Sequence, residues 1–377
     1  MIPFNRPLYL RGAIKNVKSV SHLGHFSGDG HYDNLVNGVL KEITNSTHSL
    51  LTPSCTHSLE LALRLMNLKP GDEVILPDWT FTSAATAIVS QGATPVFVDS
   101  NRNPPNISAS SVSAAINSKT RALIVMHYGG IGFEMELIEK LCKEKNIALI
   151  EDNAHGLGSK YLDRPLGSFG DMATYSFHET KNFQCGEGGA ITFNSRSLFD
   201  RAVIIREKGT NRSQFLEGKI EKYQWVENGS SYLLAEPLSA ILYSSLINFK
   251  YIQNRRKKIW QAYQSAFETN FANLGIDVPN IGMGVNHSSH IYYLILQDKE
   301  TRKAFIQHMN KKSVQVVFHY QSLWQSTAGQ FYGKLSGKNT NSRQLSDCLV
   351  RLPLYPQLRN FEVNRIIDGV LDFCKNI

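Results

Sequence analysis

The chain has 377 residues, 42% of them apolar, and a formal net charge of +8 at pH 7. That length spans roughly two to three domain-sized units and allows a large buried core. No run of about 18 uncharged apolar residues is present, and the opening MIPFNRPLYL lacks a basic stretch followed by an apolar one, so neither membrane spanning nor secretion is expected.

From about Leu50 to Asn194, short apolar segments of strand character alternate with helical patterns. The segment LTPSCTHSLELAL runs into a helix with Leu59, Ala62, Leu63 and Met66 on one face, at i, i+3, i+4 and i+7. Strand-like EVIL, TPVFVD, ALIVMH, ALIED, ATYSF and AITF follow, with a second helical pattern at Leu137, Ile138, Leu141 and Cys142. This alternation predicts an α/β fold with a parallel sheet covered on both faces. Ligands of such sheets bind beyond the carboxyl ends of the strands.

The stretch Ser195 to Glu227 is polar and contains glycine and asparagine, so it reads as a long loop. A long helix is expected from roughly Leu233 to Gln264, followed by a smaller unit whose strands are HIYYLIL and VQVVFHY. The expected division is a large α/β domain over 1–245 and a smaller α+β domain over 246–377. The one dense basic run, Arg255 to Lys258, reads as a solvated helix face. The other basic residues are dispersed, so nucleic acid is not an expected partner, whereas nucleotide diphosphates suit a mildly basic surface. Five cysteines, Cys55, Cys142, Cys185, Cys348 and Cys374, are odd in number and form no CxxC pair, as expected of reduced thiols in a cytoplasm.

Several strand ends carry polar groups that suit one cofactor. ALIED ends at Asp152, with His155 close behind in EDNAHG, and a lone carboxylate there serves as a helix cap about as readily as a catalytic group. ATYSF delivers Ser176, then Lys181 in SFHETKN, then the glycine-rich GEGGA that lets backbone approach a bound group. Ser54, Cys55, Thr56 and Ser58 precede or open an amphipathic helix, either as a phosphate cradle or as an ordinary N-cap. PDWTFTSA places Trp79 and Phe81 where an aromatic ring can stack on a flat heterocycle. A lysine amine, a carboxylate, a phosphate anchor and a stacking ring are together what pyridoxal 5'-phosphate requires. Walker-like GQFYGK and GKLSGK are one residue too short, and no HExxH, GxSxG or strand-borne GxGxxG is present, so no metal site is expected.

In SFHETKN, GEGGA, LTPSCT, REKGTNRSQF, VFHY and RLPL the chain resembles the DegT/DnrJ/EryC/StrS sugar aminotransferases, almost from end to end. The resemblance implies the fold-type-I architecture of aspartate aminotransferase, with Lys181 as the Schiff-base lysine and Asp152 on the pyridine nitrogen. It implies His155 beside the cofactor's phenolic oxygen, Cys55, Thr56 and Ser176 at its phosphate, and Phe81 against its ring. The family's GYNYR-like segment, contributed by the partner subunit of a homodimer, reads GSSYL here and puts Ser231 in the asparagine's place. The family's HYxPLH reads HYQSLW, leaving His319 and Tyr320, with Arg212 of REKGTNRSQF, as expected substrate contacts. The implied substrates are L-glutamate and a nucleotide-linked keto sugar, with a 4-keto-6-deoxyhexose on dTDP favoured over a 3-keto sugar. Sugar dehydratases of the same fold carry histidine in place of the lysine, and a non-catalytic homologue would lose Lys181 or Asp152. Both residues are present.

Overall fold

The computed structural model describes residues 1–271 and 274–375. Its centre is an eight-stranded sheet in the order His48–Thr52, Gly189–Phe193, Met172–Ser176, Ala148–Asp152, Thr120–Met126, Glu73–Pro77, Thr94–Val98 and Lys334–Ser336. All six predicted strand segments lie in it. Gly189–Phe193 runs antiparallel to both neighbours, and every other adjacent pair in the sheet is parallel.

Parallel neighbours need crossovers, and the helices of those crossovers bury both faces of the sheet. The period-2 alternation of a strand sends Val74 and Leu76 to one face and Ile75 to the other. On the first face Leu59, Ala62, Ala84 and Ile88 pack from the helices Cys55–Leu65 and Thr82–Ser90. On the second, Val112, Met135 and Ile138 pack from Ala109–Ala115 and Met135–Lys145. Each fully buried aliphatic side chain in these layers contributes roughly 1.5–3 kcal/mol. That rigid slab holds the strand tips in place.

The smaller C-terminal layer pairs Tyr292–Ile295 antiparallel with Leu349–Leu352. Helices Phe249–Phe271, Lys299–Lys311 and Asn360–Cys374 supply Phe267, Phe305, Met309 and Ile366 to its core. VQVVFHY, expected as a strand, forms isolated bridges at Val314 and Val317 and no strand. Backbone pairing crosses the expected domain boundary. Ile2 bridges to Val314 and packs in the C-terminal core, and Lys334–Ser336 extends the large sheet beside Thr94–Val98.

Two further expectations are corrected. The single helix expected over Leu233 to Gln264 is two helices, Glu236–Leu246 and Phe249–Phe271, because Asn248 turns its amide onto the Ser244 carbonyl at 2.9 Å and competes with the helical ladder. The expected loop after Ser195 contains the helix Arg196–Arg206, whose start is capped by Ser195 Oγ accepting from the Leu198 amide. Its apolar face, Ala202 and Ile205, is hidden in the sequence among arginines.

Candidate active site

Beyond the carboxyl ends of the parallel strands lies a cavity of about 800 Å³ between the large sheet and the C-terminal layer. It brings together Cys55, Thr56, Phe81, Asp152, His155, Ser176, Lys181, His319 and Tyr320, nine residues singled out from sequence. The strand tips explain the convergence. Asp152 and Ser176 are the last residues of neighbouring parallel strands, so both face the same end of the sheet.

Lys181 lies in the turn after Met172–Ser176, pinned by its amide donating to the His178 carbonyl at 2.9 Å. Burial lowers its amine from 10.5 to about 8, with the Arg351 charge acting in the same direction and Asp152 opposing. A substantial neutral fraction is therefore present near physiological pH, as a nucleophilic amine requires. Asp152 is buried, and Oδ1 accepts from the Ala154 amide at 3.1 Å. Burial raises its carboxyl pKa, while that amide and the Lys181 charge pull it down. A cationic ring nitrogen placed against it would stabilise the carboxylate further.

His155 is also buried, and its tautomer is set by the backbone. The Gly129 amide can only donate, and it donates to Nδ1 at 3.3 Å. Burial drives the His155 pKa well below its ordinary value, so the ring is neutral and its proton sits on Nε2, 3.3 Å from Tyr320 Oη. Nε2–H is thus a donor, the role needed beside a phenolate oxygen.

The helix Cys55–Leu65 begins at the cavity. Ser54 Oγ caps the His57 amide, and the Ser54 carbonyl takes the Ser58 amide. Cys55 and Thr56 are left at the first turn, where amides have no intrahelical acceptor. A Cβ on Gly189 would lie 2.3 Å from Ser54 C and 2.5 Å from Cys55 N, so the bare glycine is what lets the helix start seat against the strand. A phosphate fits this cradle electrostatically as well as sterically. Lysine, carboxylate, imidazole donor and anion cradle share one cavity, and the residues present fit pyridoxal phosphate.

The aromatic pair divides in its roles. Trp79 is fully buried, with Nε1 donating to the Tyr320 carbonyl at 3.0 Å, and belongs to the core beneath the cavity. Phe81 is 56% exposed at the start of Thr82–Ser90 and lines the cavity, 6.2 Å from the Tyr320 ring. Its free face is available for stacking. His319 Nδ1 bonds Tyr128 Oη at 2.8 Å, and the His319 and Tyr320 rings stack at 3.7 Å.

Two predicted residues lie elsewhere. Ser231 is exposed, is bridged to Glu207 and does not line the cavity. Arg212, expected at the substrate, does not line the cavity either: its Nη1 donates to Glu207 Oε1 at 2.8 Å, and that ion pair holds it on the surface arm.

Three wall residues had not been singled out. The run expected to be a solvated face contains Arg256, which is 2% exposed. Its Nε and Nη2 donate to the Ser289 and His290 carbonyls at 3.1 and 2.6 Å, and burial lowers its pKa to about 9. Its neighbours Lys257 and Lys258 are exposed, as expected of the run. His290 and Arg351 also line the cavity, and Arg351 Nε is buried without a hydrogen-bond partner. An arginine inside the apolar run LVRL was the available signal for Arg351.

The mixed, mostly parallel sheet with its smaller C-terminal layer is the fold of the pyridoxal-phosphate-dependent aminotransferases. The chain belongs to the DegT/DnrJ/EryC1/StrS aminotransferase family, whose model matches residues 11–371. The aminotransferases of this family depend on pyridoxal phosphate. The chain is 30% identical to the uncharacterized protein MJ1066 of Methanocaldococcus jannaschii, over 88% of this chain and 87% of that one. It is 29% identical to the spore coat polysaccharide biosynthesis protein SpsC of Bacillus subtilis, over 99% and 97% of the two chains. Among solved structures it matches the putative sugar aminotransferase Spr1654 of Streptococcus pneumoniae in its PMP-form, with a TM-score of 0.91, 25% identity and full coverage of both chains. Among the described residues no helix is long and apolar enough to cross a membrane.

Proposed function

We propose that this chain transfers the amino group of L-glutamate to C4 of a nucleotide-linked 4-keto-6-deoxyhexose, converting dTDP-4-keto-6-deoxy-D-glucose to dTDP-4-amino-4,6-dideoxy-D-galactose for a surface polysaccharide. The observation that carries the reading is that Lys181 and Asp152 line one cavity of about 800 Å³ together with His319 and Tyr320. Support for the sugar comes from SFHETKN, and from relatives described as a polysaccharide biosynthesis protein and a putative sugar aminotransferase.

When bound, pyridoxal phosphate would supply an electron sink and carry the amino group between donor and acceptor. Asp152 would hold its pyridine nitrogen, His155 Nε2–H would donate to its phenolic oxygen, and Phe81 would cover its ring. Cys55, Thr56 and Ser176 would take its phosphate, with Ser231 reaching in from a second copy of the chain. Exposed Leu216, Trp225 and Val226 on the arm near Ser231 support such a homodimer. Lys181 moves the proton at the reacting carbon as general base and then acid, a role its lowered pKa favours. His319 and Tyr320 would contact the sugar. Arg351, with an unpartnered Nε, would take a donor carboxylate.

The test is a panel of dTDP- and UDP-linked 3-keto and 4-keto sugars with glutamate, with the aminated carbon located by mass spectrometry and NMR. Amination at C4 of the dTDP sugar is expected. Amination at C3 would overturn the regiochemistry, and retention of most activity by Lys181→Ala would overturn the mechanism.

A further inference from the structure

Two imidazoles, His155 and His290, lie side by side on the cavity wall with ring centroids 4.4 Å apart. Their protons are fixed in opposite places. At His155 the Gly129 amide occupies Nδ1 and leaves the proton on Nε2. At His290 the assignment runs through Asn182, the residue after Lys181. Asn182 Nδ2 donates to the Ser288 carbonyl at 2.9 Å and to Gln253 Oε1 at 3.1 Å. A backbone carbonyl only accepts, so the amide nitrogen must face it. Asn182 Oδ1 is then turned to His290 Nδ1 at 2.8 Å, and an oxygen without a proton obliges Nδ1 to carry one.

Burial holds the His290 pKa well below its ordinary value, and the positive charges of Lys181, Arg256 and Arg351 act in the same direction. The neutral ring therefore presents a bare Nε2 lone pair, and among the described residues no hydrogen bond reaches it. The ring cannot readily turn away. Asn182 holds its Nδ1, Arg256 grips the Ser289 and His290 carbonyls, and Ser288, two residues earlier, donates its Oγ proton to the His155 carbonyl at 2.6 Å.

We propose that His290 Nε2 is a fixed acceptor for a hydroxyl of the sugar substrate and thereby helps set the orientation of the sugar in the cavity. The chemistry selects the sugar over the amino donor. Glutamate's carboxylates only accept and are repelled by a lone pair, and its one donor, the amino group, is the group handed over in the reaction, whereas a hexose offers hydroxyl protons that stay on the sugar. The neighbouring Nε2–H of His155 is the donor assigned above to the cofactor's phenolic oxygen, so of the two rings His290 is the one left for the sugar. This assignment rests on the sugar aminotransferase reading above.

The test uses holoenzyme with dTDP-4-keto-6-deoxyglucose and its 2-deoxy and 3-deoxy analogues. His290→Phe keeps the ring and removes the acceptor, and His290→Gln returns an amide oxygen near the Nε2 position. His290→Phe is expected to raise KM for the sugar roughly 10- to 100-fold, with the loss falling on the sugar half-reaction rather than the glutamate half-reaction, and His290→Gln to recover most of it. One deoxy analogue should bind wild type more weakly and lose nothing further in His290→Phe. Equal loss in both half-reactions, an unchanged KM, or additive losses for both analogues would overturn the assignment. Turnover of no keto sugar by wild type would instead remove the functional reading, and this one with it. Should His290→Phe fail to fold, ¹⁵N spectra of the wild-type imidazole decide: a bare Nε2 signal that moves on adding the dTDP sugar supports the proposal, and a protonated Nε2 refutes it.

Discussion

Replacing Lys181 with methionine should make the cofactor-free protein more stable at neutral pH, at the expense of its function. Folding lowers the Lys181 pKa from 10.5 to about 8, chiefly by burial. A lysine with a depressed folded pKa destabilises the native state wherever both states bind the proton, that is, below about pH 8. The gap corresponds to about 3 kcal/mol at pH 7. Between pH 8 and 10.5 the unfolded chain binds more protons than the folded one, so wild-type stability rises through that window. Methionine has similar bulk and no charge, so its advantage should be about 2–3 kcal/mol at pH 7 and below about 1 kcal/mol at pH 10.5. Urea unfolding of both apo-proteins at pH 7, 8.5 and 10.5 measures the difference. A methionine variant less stable than wild type at pH 7, or a difference constant across the series, would refute the reasoning.

Asp152→Asn should keep the fold by circular dichroism and lower kcat by roughly 10³-fold, because a neutral amide cannot stabilise a protonated pyridine. Gly189→Ala puts a methyl 2.3 Å from Ser54 C and should cost about 1–3 kcal/mol; the displaced helix start should also release cofactor faster on dialysis. Arg256→Met strands the Ser289 and His290 carbonyls, and thermal or urea unfolding should show a loss of about 2–4 kcal/mol despite the arginine's place in a basic run. Tyr320→Phe removes the hydroxyl facing His155 Nε2 and should alter the cofactor's absorption more than the stability of the protein.

The layered fold was readable because its strands are continuous apolar runs ending in polar tips, a pattern that both predicts a covered parallel sheet and locates the site. Asp152 and Ser176 follow from that logic, whereas Cys55 opens a helix whose start reads from sequence as either a phosphate cradle or an ordinary N-cap. What sequence could not give was long-range. Lys334–Ser336 is three residues long and becomes a strand because the edge of Thr94–Val98 is open to pair with it. Arg256 looks like Lys257 and Lys258 until the carbonyls of Ser289 and His290 are brought against it by the C-terminal layer. His290 likewise has no local signature, since its proton is fixed by Asn182, more than a hundred residues away in the chain. The helix break at Asn248 turned on a single side chain competing for a carbonyl, which periodicity does not register.

The central claim is that the amine of Lys181 is the group that engages pyridoxal phosphate. Borohydride reduction of purified, cofactor-saturated protein, followed by peptide mass mapping, tests it directly. The cofactor's mass should appear on the peptide bearing Lys181; its absence there, or its presence on a different lysine, would contradict the account.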